Sequence, residues 1–305
     1  MPAGLCLLIA TMLWGSSFVA LKFAIDLYDP HVVIFFRMLT TLILCLALFR
    51  YTKRFTYQQG DLKYLLAMSL AEPCLYFLFE GHAIEYTSAS QAGVIVACLP
   101  LIVALLAYFL LKERLSKSIV SGFTLCIGGS IALTFLSPSS EQAPNPLLGN
   151  TLEFLAMICA AFYTISVKRL ATRYSPLALI GVQGLSGSVF FACFLPFSDF
   201  PDFSVLNQDA VLSILYLGSV VTLGAYGLYN YAISRVSVLT AAAYSNLVPV
   251  FTLLFSAVLL AERLNLWQWA AIALVFAGVA ISQRHKEVHL LEDTPADSEL
   301  TATQP

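Results

Sequence analysis

Ten long apolar runs, parted by short polar breaks, dominate the chain. They fall at 4–25, 31–50, 62–83, 88–111, 117–136, 149–171, 177–197, 209–233, 238–260 and 266–283. Each approaches the roughly 20 residues that a helix needs to cross the hydrocarbon core of a bilayer. Within lipid, a helix also satisfies its own backbone polar groups. The pattern predicts an all-α polytopic membrane protein with ten transmembrane helices. The junctions near 84–87 and 234–237 are short enough for tight helical hairpins. A rival reading fuses the runs there and leaves eight spans. The fused segments, 62–111 and 209–260, are far longer than a bilayer requires. The first run lacks the basic start and small-residue cleavage site of a signal peptide, so it is read as a retained span.

Composition agrees. Of 305 residues, 59% are hydrophobic and 11% charged, against about 25% charged in a soluble domain. This excludes a soluble enzyme, a disordered protein and a nucleic-acid binder with a basic patch. The seven cysteines lie in apolar runs without a CxxC and read as small buried hydrophobes. No metal site and no cofactor are expected.

Charge sets the expected orientation. With the N-terminus inside, the inner segments hold Arg50, Lys53, Arg54, Lys63, Lys112, Arg114, Lys117, Lys168, Arg169, Arg173, Arg235, Arg284 and Lys286. The outer segments hold only Arg263, and Lys22 and Arg37 lie within spans. Cytoplasmic loops carry such an excess of Lys and Arg, so both termini are expected in the cytoplasm and the chain in a cytoplasmic or inner membrane. Beyond 284 the composition turns polar and acidic, and residues 285–305 are expected to form a disordered tail.

The chain also repeats itself. At an offset of 146, Lys22 meets Lys168, Pro30 meets Pro176 and Arg37 meets Gln183. At an offset of 149, Ala83-Ile84 meets Ala232-Ile233 and Pro100 meets Pro249. Glu113-Arg114-Leu115 likewise meets Glu262-Arg263-Leu264, and Gly129 meets Gly278. Each half holds five spans. Because five is odd, the second half enters the membrane inverted. Two inverted halves that exchange conformations give inward-open and outward-open states around a midplane site, as in transporters.

The residues Trp14-Gly15-Ser16-Ser17-Phe18, Lys22, Pro30 and Arg37 resemble the start of an EamA-type unit of the drug/metabolite transporter superfamily. Pro100 with Lys112-Glu113-Arg114-Leu115, and Pro249 with Ala261-Glu262-Arg263-Leu264, resemble its two repeat ends. The second copy departs at its start, with Ala160-Ala161 for Trp14-Gly15 and Gln183 for Arg37. The resemblance covers residues 3–136 and 149–284. It implies two inverted five-helix repeats, a central cavity, and export or exchange of a small metabolite or drug.

Charges at mid-membrane cost about 2.5–3.5 kcal/mol on insertion scales and are functional candidates by default. Glu72, before Pro73 near the middle of the third span, is the clearest candidate for substrate binding or proton coupling. Tyr76 and Glu80 follow it at i+4 and i+8, close to one face. Arg37 reads either as an anion site or as a structural partner of Glu80 or Glu72. Lys22 reads as a substrate or coupling residue, or as one that snorkels to water. His82, with no second His or carboxylate at metal spacing, reads as a solvated or capping histidine. Trp14, Phe18, Gln183, Thr222, Tyr226, Tyr229, Asn230, Tyr244, Ser245 and Asn246 are candidate cavity residues or interhelical hydrogen-bond glue. Pro100 and Pro249 are candidate hinges. The Glu-Arg ends read mainly as exposed helix-end anchors.

No P-loop, HExxH or GxSxG is present. The expected activity is secondary transport of an amino acid-like or amphipathic solute, as an exporter or exchanger. Expected partners are that solute, possible coupling protons and the bilayer, without nucleic acid. Oligomeric state is open between monomer and homodimer. Inward proton-coupled symport and a transport-inactive scaffold or sensor are the alternatives. An intramembrane lipid enzyme would need a His/Asp/Glu cluster that the chain lacks.

Overall fold

The structure is a computed structural model that describes residues 1–49, 57–111, 117–200 and 206–292. Several residues named above lie outside these: Arg50, Lys53, Arg54, the segment Lys112 to Leu115, and the tail beyond 292.

Ten helical rods follow the ten runs. They are α1 (Ala3–Ile25), α2 (Pro30–Phe49), α3 (Leu62–Tyr86), α4, α5 (Lys117–Phe135), α6 (Pro146–Leu170), α7 (Pro176–Ala192), α8 (Gln208–Ile233), α9 (Val238–Leu259) and α10 (Leu266–Glu292). Rod α4 is built from Ala89–Ile95, a 3₁₀ turn at Val96–Cys98, and Leu99–Leu111. Among the described residues, nine helices are long and apolar enough to cross a membrane, and Leu266–Ser282 is a shorter apolar helix. The rods break at Thr87 and Ser88, and at 234–237, so the fused eight-span reading does not hold. Ser88 and Ser237 begin the rods after these breaks. Their side chains accept hydrogen bonds from the backbone N–H groups of Gln91 and Thr240, as N-caps do.

The last helix runs to Glu292. Residues 285–292 contain no Gly or Pro to stop it. Rod α6 starts at Pro146 rather than 149, because Asn145 caps it and Pro146 suits its first turn.

The halves interleave. Rod α1 packs on α8 and α9, as α6 packs on α3 and α4, while α2 meets α7, α4 meets α9 and α5 meets α10. Exchanging the halves reproduces the same set of pairs. The close α5–α10 crossing depends on glycine. A Cβ at Gly278 would lie 2.6 Å from the Gly122 carbonyl, and one at Gly122 would lie 2.5 Å from the Gly278 carbonyl. Small residues let membrane helices approach this closely.

The internal repeat extends to backbone irregularities. The 3₁₀ turn Val96–Cys98 in α4 has its counterpart at Ser245–Leu247 in α9, at the offset of 149. Each turn lies just before a proline, Pro100 or Pro249. A proline cannot donate to the carbonyl four residues earlier, and a tightened turn upstream accommodates the loss. Rod α8 widens into a π-helical turn at Leu217–Ala225, and rod α3 kinks at the corresponding place, Leu70–Leu75, where Glu72 is non-helical.

Both repeat-related lysines have the same task. Lys22 Nζ donates to the Ile84 carbonyl at 3.0 Å, near the end of α3. Lys168 Nζ donates to the Ile233 carbonyl at 2.7 Å, at the end of α8, and also to Val236. Each ties the C-terminal carbonyls of its own half's third helix to that half's first helix, at a helix end where a cation is favoured. The expected snorkelling of Lys22 is corrected here. Its side chain is buried and also pairs with Asp26 at 3.2 Å.

Glu262 likewise departs from an exposed anchor. Its carboxylate accepts from the backbone N–H groups of Ala89 and Ser90, both at 3.0 Å, at the start of α4. A carboxylate there satisfies helix-end donors and complements the dipole. Of the seven cysteines, Cys193 is exposed rather than buried, and the other six are buried.

Candidate functional site

The site begins with a break in α3. Proline disfavours the helical region for the residue before it, and Glu72 is extended, at φ −149° and ψ 120°. The helix kinks there, where Glu72 enters the bundle. Glu72 is 3% exposed. Its Oε1 accepts from the Tyr226 hydroxyl on α8. Its main-chain carbonyl lies 3.5 Å from Gln183 Nε2 on α7. Within the π turn of α8, Thr222 Oγ1 donates to the Leu217 carbonyl five residues earlier, at 2.8 Å.

Two turns beyond Glu72, Glu80 meets Arg37. Arg37 is 2% exposed. Its Nε donates to Thr222 Oγ1 at 2.9 Å, and its guanidinium stands 4.0 Å from the Phe77 ring centre. Nη1 is 3.6 Å from Glu80 Oε2, an ion-pair distance too long for a hydrogen bond. The Tyr76 hydroxyl donates to Glu80 Oε1 at 2.7 Å. Arg37 therefore has Glu80, not Glu72, as its carboxylate partner.

Aromatic rings close the remaining sides. Trp14 packs edge-on against Tyr226 at 5.2 Å and against Tyr229 at 5.0 Å. Tyr163 of α6 lies 6.1 Å from Tyr226 and donates its hydroxyl to Asn230 Oδ1 at 2.9 Å. These groups surround a narrow cavity of about 40 Å³. Its lining includes Trp14, Arg37, Glu72, Tyr76, Glu80, Tyr163, Tyr226 and Tyr229. Helices of both halves contribute, which is where a transporter site is expected.

Not every sequence candidate joins it. Phe18 and Ser245 line the cavity. Tyr244 does not, and its hydroxyl faces Gly4. Asn246 lies outside the lining, and both of its amide atoms are buried without a partner. Lys22 is occupied at the helix end described above. Pro100 and Pro249 follow their 3₁₀ turns, and the lining includes Val96 and Leu99 on one side and Ser245 and Val248 on the other. His82 is a further correction. His31, distant in sequence, brings its Nε2 to 3.3 Å from His82 Nε2.

The sequence reading missed Glu153, Tyr163 and Thr164. Glu153 is fully buried, and neither carboxyl oxygen has a hydrogen-bond partner among the described residues. It lies one turn before Met157, a lining residue. An acidic residue within the sixth run was the available signal. The ring nitrogen of Trp14, Nδ2 of Asn230 and Oε1 of Gln183 are also buried and unpartnered. The arrangement offers three buried carboxyl groups, one guanidinium, aromatic faces and spare hydrogen-bonding atoms. Among the described residues, no group of three His, Cys, Asp or Glu is placed to hold a metal ion.

The EamA-like transporter family matches residues 1–135 and 147–283. A Bacillus subtilis protein named "Uncharacterized transporter YetK" is 27% identical, over 92% of this chain and 87% of its own. A Salmonella typhimurium protein named "Probable amino-acid metabolite efflux pump" is 26% identical, over 92% of this chain and 94% of its own. One crystal structure superposes with a TM-score of 0.66 at 19% identity, covering 93% of this chain and 98% of its own. At that identity it speaks for the fold alone.

Proposed function

Because the chain belongs to the EamA-like transporter family, we propose that it is a secondary transporter for a small amphipathic or amino acid-like solute bearing an amine. The solute occupies the central cavity, and the two halves expose it alternately to the two sides. Transport runs as export or exchange, with Glu72 as the group that holds either the solute's cation or a proton. The membrane is the cytoplasmic or inner membrane, with the face carrying Asp29 outside, a reading that rests on the distribution of Lys and Arg.

One observation carries the reading. Two buried carboxyl groups, Glu72 and Glu80, share the cavity lining with one guanidinium, that of Arg37, which pairs with Glu80, and a third carboxyl, Glu153, is buried one turn before the lining residue Met157. Buried charge is tolerated only when it is paired, so the excess favours a positive ligand. Rings of Trp14, Tyr76, Tyr163, Tyr226 and Tyr229 supply an apolar wall and π faces, which attract a desolvated cation by about 2 kcal/mol. The name of the Salmonella relative, an amino-acid metabolite efflux pump, agrees with the solute class. Without a P-loop in the chain, the driving force is a gradient or counter-solute.

The test is uptake into proteoliposomes, with and without a proton gradient, of amino acids, their analogues, cationic amphipaths and size-matched anions. The reading expects gradient-dependent uptake of at least one amine-bearing solute and none of the anions. Uptake confined to anions would overturn the solute assignment. Absence of any protein-dependent flux across the panel would count against transport of this class.

A further inference from the structure

On the membrane face that carries Asp29, two histidines from different helices meet. His31 is the second residue of α2 and His82 lies in the last turns of α3. Their Nε2 atoms are 3.3 Å apart while the ring centres are 4.9 Å apart, so the Nε2 edges face each other. Each remote nitrogen is already engaged. Asp29 Oδ1 lies 3.0 Å from His31 Nδ1 and also accepts the His31 backbone N–H at 2.8 Å. Glu85 Oε2 lies 3.1 Å from His82 Nδ1.

A carboxylate beside Nδ1 fixes the hydrogen on that nitrogen and leaves a lone pair on Nε2. Two neutral rings so held would turn lone pair toward lone pair, and a positive centre between them resolves that contact. The separation also fits a metal: nitrogen ligands at 2.0–2.1 Å on a tetrahedral ion are separated by about 3.3–3.4 Å. A carboxylate on the remote nitrogen is also the usual support of a metal-binding histidine. Phe194 stacks on His31 at 4.9 Å with 7° between the planes, which holds that ring in place. The side chains are 18% and 31% exposed, so an ion can reach them from the aqueous side.

We propose that His31 and His82 form a binding site for a divalent transition-metal ion of the zinc type. With two protein ligands, water or another small ligand completes the coordination. The site clips the start of α2 to the end of α3, the two helices that carry Arg37 and Glu80 further in. Binding at this site therefore ties together the ends of these two helices.

The test uses full-length protein in detergent micelles, cleared of metal by chelation. His285 and His289, the other two of the four histidines, are changed to Gln to remove competing ligands. Zinc chloride is titrated by calorimetry and by its effect on the melting temperature, with magnesium chloride as the control for a cation that prefers oxygen. The proposal expects one saturable zinc site per chain that raises the melting temperature, and no response to magnesium. His31→Gln and His82→Gln should each abolish that site. Asp29→Asn and Glu85→Gln should fold normally and weaken binding about 10–100-fold. No saturable zinc binding would overturn the proposal. So would zinc binding that persists unchanged in both histidine variants, or an equal response to magnesium.

Discussion

Replacing Arg37 by Met keeps most of the side chain's bulk and strands Glu80. In the native protein the guanidinium is buried between Glu80, Thr222 and the Phe77 ring. Glu80 keeps only the Tyr76 hydroxyl when the guanidinium is gone. Breaking a buried ion pair by removing one member costs about 3–5 kcal/mol, because the other charge stays behind. At about 2 °C per kcal/mol, the low end of the range for longer chains, this becomes a fall of roughly 6–10 °C in melting temperature. Adding Glu80→Gln removes the stranded charge, while the amide oxygen still accepts from Tyr76. The double variant should regain more than half of the loss. Protonation of Glu80 does the same in the single variant, so its deficit should narrow as the pH falls. The assay is thermal unfolding in detergent of wild type, both single variants and the double, treated as a double-mutant cycle. A single variant within 2 °C of wild type, or a double variant that loses the sum of the two singles, would refute the pairing.

Three further outcomes are expected. Lys22→Met and Lys168→Met should each lower stability by about 1.5–3 kcal/mol, the worth of a charged hydrogen bond, measured by the same melts. Gly278→Ala should cost about 1–3 kcal/mol from overpacking, since its Cβ would meet the Gly122 backbone at 2.6 Å. Gly128→Ala, with nothing within 4 Å, should be silent in the same experiment. Reporter fusions at Ser139 should read as external and at Arg173 as cytoplasmic, and a cytoplasmic signal at Ser139 would remove the five-plus-five inverted arrangement.

The positions of the helices were legible because hydrophobic runs of bilayer length carry that information directly. The repeat was legible for a more specific reason. Lys22 and Lys168 recur because each closes the end of a repeat-related helix, and Pro100 and Pro249 recur beside matching 3₁₀ turns. Glu72, Tyr76 and Glu80 were legible as one face of one helix. Contacts between distant segments were not. His31 and His82 are 51 residues apart, and the tie between Tyr163 and Asn230 spans 67. Glu153 escaped because its run was taken to start at 149, which made it an end residue. The cap at Asn145 and the start at Pro146 place it two turns deep. The π turn in α8 has no sequence marker comparable to Pro73.

The central claim is that the cavity carboxyls couple a gradient to solute movement, with Glu72 as the coupling group. Glu72→Gln keeps the shape and can still accept from Tyr226, but it cannot carry or release a proton. The measurement is pH-driven solute uptake and solute counterflow in proteoliposomes containing matched amounts of wild type and Glu72→Gln. The account predicts that the variant loses pH-driven uphill uptake and retains counterflow. Unchanged pH-driven uptake in Glu72→Gln would contradict it.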